Sequence, residues 1–114
     1  MPVSGEKFLE AADTIYKKNE SREEIYYRCS ASRAYYAAFH VAKKHFHLPR
    51  KTRHITVIDI LKKNHRSTGE KLKELKELRE DADYELDKYI SQYIADKCIK
   101  LSNNIINKLN NLKT

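Results

Sequence analysis

Helix breakers are scarce in this chain of 114 residues: two prolines, Pro2 and Pro49, two glycines, Gly5 and Gly69, and no proline anywhere in residues 3–48. Long helices therefore run without their strongest interruptions, and an all-α fold is expected. Cysteine is as rare. Cys29 and Cys98 are too few for a disulfide framework and show no C-x-x-C or Cys/His ligand spacing, so both read as small buried apolar side chains. No window approaches the roughly 18 consecutive apolar residues of a membrane span. The opening "MPVSGEKFLE" has no basic segment leading into an apolar one, so neither membrane nor secretory targeting is expected and the location reads as cytoplasmic. Acidic residues are the minority charge: 16 Asp and Glu against 23 Lys and Arg leave a net charge of +7. That balance favours a polyanionic partner such as RNA, DNA, a nucleotide or an acidic protein.

What is present suits one domain over residues 1–114, because a chain of this length can build one modest core and not two. With 40% hydrophobic and 34% charged residues it carries enough apolar surface to offset the entropy of ordering. Apolar spacing then divides it into a bundle of four to five helices. Phe8, Leu9, Ala12, Ile15 and Tyr16 recur at three and four, predicting a first helix over about 4–18. "SREE" at 21–24 reads as a capping box opening a long second helix to about His47, closed by Pro49, with Ile25, Cys29, Ser32, Tyr35 or Tyr36, Phe39, Ala42 and Phe46 inward. A shorter run through Ile55, Ile58 and Leu61 predicts a third helix. A second capping box, Ser67 to Glu70, predicts a fourth through Leu72, Leu75 and Leu78, and a last helix covers about 85–109.

Within helix two, "SRAYYAAFHVAKKHF" sets Arg33 and His40 seven residues apart. On a helix that spacing returns to about 20° short of the same azimuth, so the two side chains share a face, with Tyr36 between them and Lys44 beyond. Histidine can move a proton near neutrality, and arginine can hold phosphate charge through two parallel hydrogen bonds. Such a pair needs no metal to cut RNA, whose own 2′-hydroxyl can attack the neighbouring phosphate. The same residues on a solvated face could equally be structural. "LREDADYEL" adds Arg79 and Asp83 at i, i+4, an ion pair that would close the helix junction with Tyr84 packed beneath. Asp81 or Asp83 could alternatively reach Arg33 or His40 from the neighbouring helix and support the site. Glu80, Asp81, Asp83 and Glu85 project in different helical directions, so no metal site is expected. The basic segment from Lys43 through His54 either guides an RNA backbone or is a solvated loop, and its histidines offer no ligand geometry.

The two motifs, "SRAYYAAFHVA" and, some forty residues later, "LREDADYEL", resemble the HEPN family (higher eukaryotes and prokaryotes nucleotide-binding domain) over roughly 21–109. The resemblance implies a small helical bundle acting as a homodimer, with the two Arg/His motifs facing a shared cleft. It implies a metal-independent endoribonuclease without cofactor, in a toxin or antiphage-defence setting. Arg33 and His40 then match the family's motif of an arginine and a histidine separated by four to six residues. Ala34 follows the arginine where active members often carry a polar residue, and Ala42 stands where one toxin subgroup has tyrosine. The alternative is a non-catalytic nucleotide-binding module serving as partner of a small nucleotidyltransferase antitoxin.

Overall fold

A computed structural model describes residues 3–112, and the all-α expectation holds. Among the described residues five helices follow one another: α1 (Gly5–Lys17), α2 (Glu24–His45), α3 (His54–Asn64), α4 (Arg66–Tyr84) and α5 (Gln92–Asn111). α2 is the axis of the bundle. Its alanines Ala31, Ala34, Ala37, Ala38 and Ala42 are all sealed from solvent, and their small side chains let neighbouring helices approach from several sides at once. Tyr35 and Phe39 fill the space between them, with Val57, Ile58 and Leu61 from α3, Leu72 and Leu75 from α4, and Ile105 and Leu109 from α5. α1, α4 and α5 pack round α2 and α3 leans on α4, yet among the described residues α1 and α4 do not touch. A strip of α2 is therefore left uncovered between them.

Both predicted capping boxes are overturned. Helix two begins at Glu24, not Ser21. The Asn19 side chain brackets Glu23, accepting its N–H at 3.0 Å and donating to its carbonyl at 2.8 Å. Arg22 takes a left-handed φ of 55° in that turn, and the Ser21 hydroxyl meets the Glu23 carboxylate instead of a helix N–H. α4 begins one residue before Ser67 because the His65 carbonyl already accepts the Gly69 N–H at 2.9 Å. Glu70, which would have reached back, pairs with Lys62 at 3.3 Å.

The last helix also starts later than 85. Residues 85–91 form a non-helical link, and Ser91 caps α5 by accepting the Ile94 N–H at 3.2 Å. The link is held by Arg28, a residue the apolar pattern did not single out. Its guanidinium donates to the carbonyls of Asp81, Ala82, Glu85, Leu86 and Lys88 and to the Glu24 carboxylate. Glu24 in turn accepts the Ile90 N–H at 2.8 Å, and that bond, with Arg28, holds its carboxyl below the usual glutamate value against the opposing effect of burial. Ile25, expected inward, is 57% exposed, and of the apolar residues at the start of the expected last helix Leu86 is 77% and Tyr93 71% exposed while Ile90 is buried. Ile55 is exposed as well, its place in the core taken by Val57.

Candidate functional site

The uncovered strip of α2 is where Arg33 and His40 lie. α2 runs unbroken across both, so seven residues of rise, about 10 Å, separate them along one face. Arg33 is exposed and, among the described residues, makes no hydrogen bond or ion pair, which leaves its fork of donors open. His40 is half-buried. Its ring lies 5.2 Å from the Phe8 ring of α1, 5.4 Å from Phe39 and 6.1 Å from Tyr36. That burial, and then the charge of Lys43, hold its imidazole below the ordinary basicity of histidine. At neutral pH the ring is uncharged and able to accept a proton.

Tyr36 is fixed beside His40 by Arg79. Arg79 is buried, and its guanidinium lies over the rings of Tyr35 at 5.0 Å, Tyr36 at 5.2 Å and Tyr84 at 5.8 Å. Its Nη1 pairs with Asp83 at 3.5 Å, as the i, i+4 spacing anticipated. Asp83 also accepts the Ser32 hydroxyl at 3.1 Å, which pins the end of α4 to the residue preceding Arg33. Arg79 and Asp83 thus shape the site from behind without touching Arg33 or His40. Asp81 is not brought to the site. It pairs with Lys88 at 3.1 Å on the link. Tyr84, expected beneath the junction, is exposed instead, one ring face toward Arg79.

Beyond His40 the strip widens into a basic hollow of about 460 Å³ lined by His40, Lys43, Lys44, His47, Leu48 and Arg50. The end of α2 builds it. His47 takes a left-handed φ of 53°, and the Leu48 N–H returns to the Lys43 carbonyl at 3.0 Å while the His47 N–H reaches Lys44 at 3.0 Å. Lys43 donates to the Arg50 carbonyl, folding the following loop back over the helix. Lys43, Lys44, His47 and Arg50 of the basic segment therefore converge, and Lys51 and Arg53 stay on the outer surface.

His54 departs from its sequence reading. From the first turn of α3 it stacks on Phe39 with ring centroids 4.1 Å apart and meets Tyr36 edge-on at 6.1 Å. No spacing could have announced this, because the contact depends on how α3 leans back on α2. Among the described residues no three His, Cys, Asp or Glu side chains come together as metal ligands, and no helix is long and apolar enough to cross a membrane.

The arrangement is a helical bundle with an arginine and a neutral histidine on one open strip, running into a basic hollow. A search of curated proteins returns no match. The family model described as the HEPN domain matches residues 4–112, nearly the whole chain and both of its motifs, and the protein belongs to the HEPN family.

Proposed function

We propose that the protein is a metal-independent endoribonuclease acting at the Arg33/His40 strip, with two copies of the chain contributing to one cleft. HEPN domains are nucleotide-binding or ribonuclease-type modules. The observation that carries the finer reading is the pairing of an unengaged Arg33 with an uncharged His40 on the same open face. In this reading the RNA 2′-hydroxyl oxygen bonds to phosphorus as its proton passes to His40, and the P–O5′ bond breaks. The leaving oxygen takes a proton from water, and the hydroxide so formed is neutralised by the proton on His40. Arg33 holds the phosphate and stabilises the charge that grows on its oxygens. The product is a 2′,3′-cyclic phosphate, and DNA is spared because it lacks the attacking hydroxyl.

Tyr36 presents part of its ring to the strip and can stack on a base. The basic hollow suits the neighbouring backbone phosphates. The aromatic surface also supports a second reading, a nucleotide-binding module that pairs with a nucleotidyltransferase and cuts nothing. Growth on expression separates the two. A ribonuclease arrests growth and His40→Ala relieves the arrest at equal protein level, as a toxin or defence effector would require. Equal tolerance of both proteins would contradict the ribonuclease reading. Sedimentation of the purified chain tests the shared cleft, with a dimer expected.

A further inference from the structure

His54 opens α3, outside the Arg33/His40 motif, yet it belongs to the same aromatic cluster. Its ring is parallel to Phe39, with 7° between the planes. Tyr36 lies 6.1 Å from His54 and the same 6.1 Å from His40. The two histidines flank one tyrosine.

Tyr35 fixes the proton of His54. The Tyr35 hydroxyl, on a fully buried side chain, meets His54 Nδ1. Burial pushes the phenol well above its ordinary value, so it stays protonated and donates. Nδ1 is then the acceptor, and a neutral His54 carries its proton at Nε2. His54 is held neutral by burial, then by Arg79 and Lys76 of α4 and by His40 and Lys43 of α2. Among the described residues Nε2 has no partner, and it is not sealed from solvent. A neutral N–H of fixed direction in a basic surround suits an anionic oxygen.

Resting on the ribonuclease reading, we infer that His54 is a third residue of the site, offering its Nε2–H to a non-bridging phosphate oxygen of RNA held across Arg33 and His40. It transfers no proton. It steadies the charge that those oxygens gain as the 2′ oxygen attacks.

The test uses the whole chain, checked for helix content and association state, with three variants. His54→Ala removes the donor, His54→Gln offers an amide N–H in place of Nε2–H, and Tyr35→Phe removes only the hydroxyl that sets the tautomer. His54→Ala lowers kcat by about a hundredfold with KM little changed, the loss that follows removal of one preorganised donor. His54→Gln recovers a large part of it. Ring ¹⁵N shifts report the Nε2–H tautomer in the unsubstituted protein and a tautomer mixture in Tyr35→Phe. Full kcat in His54→Ala, where His40→Ala is inactive, would overturn this inference and leave the ribonuclease reading standing, as would an Nδ1–H tautomer. Absence of cleavage by the unsubstituted protein overturns the ribonuclease reading instead. His54 is then judged by its ring resonances on titration with RNA: moved, the contact stands; unmoved, it falls.

Discussion

His40 carries two influences of the same sign. Packing against Phe8 and Phe39 disfavours the imidazolium, and Lys43 adds a positive charge nearby. The folded chain therefore binds a proton at His40 more weakly than the unfolded chain, whose value is 6.5, and His54 behaves in the same way. A group with a depressed folded value binds more protons when unfolded, so its stability contribution is whole above pH 6.5 and is lost as pH falls toward the folded value. The melting temperature is expected to decline on acidification before the carboxylate range is reached, and the double variant His40→Ala/His54→Ala should flatten that decline. A melting temperature that rises through the same interval would contradict the burial of both rings. Lys43→Ala should raise the His40 value and move the acid limb of the cleavage profile to higher pH, measurable by NMR titration and by rate. The motif pair itself was readable at this scale, because seven-residue spacing on a helix fixes a common face. The neutrality of His40 was only partly so: Lys43 stands one turn on along the same helix, but Phe8, which completes the burial of the ring, comes from another helix.

Helices that depend on apolar periodicity were legible as elements: α1 falls within a residue of its expected ends, and α3 is helical despite its β-branched run. Starts were less so. Ser21 and Ser67 carry the right residue types for capping, but Asn19, bonded to the Glu23 backbone, shapes the turn before α2 and the His65 carbonyl opens α4, through contacts that two serine-led motifs do not encode. In the sequence the 85–91 link has a helical pattern, because Leu86 and Ile90 keep the four-residue spacing of a helix. What decides otherwise is Arg28, whose donors satisfy the carbonyls that the helix would have used. Arg28→Ala is expected to cost about 3 kcal/mol, since it leaves several carbonyls and the Glu24 carboxylate without their charged partner; a urea midpoint within error of the parent would refute that role. Gly69 makes a sharper case. Alanine in a helix normally gains about 1 kcal/mol over glycine, but a Cβ here would stand 2.6 Å from the backbone of Lys62 where α3 crosses α4. Gly69→Ala should therefore destabilise by about 2 kcal/mol, a reversal of sign that thermal unfolding would show at once.

For the whole molecule, the positive charge and its basic segment were visible in the sequence, while the convergence of four of that segment's side chains on one hollow was not. Of the basic segment, the side chains that converge do so because the left-handed His47 turns the chain back over α2, and that turn leaves no mark in charge or apolar spacing. If the hollow carries backbone phosphates, neutralising Lys43, Lys44 and Arg50 together should weaken RNA binding across sequences alike. It should also reduce the salt dependence by about two, at roughly 0.7 per phosphate contact for a single strand. An unchanged slope in a binding titration would place the RNA elsewhere. Cleavage at the strip is tested directly with RNA. Purified protein is incubated with mixed-sequence RNA in excess EDTA, beside Arg33→Ala and His40→Ala variants that keep the fold and association state. Cleavage by the unsubstituted protein alone, leaving 2′,3′-cyclic phosphate ends, is the predicted result; equal cleavage by all three, or by none, would contradict it.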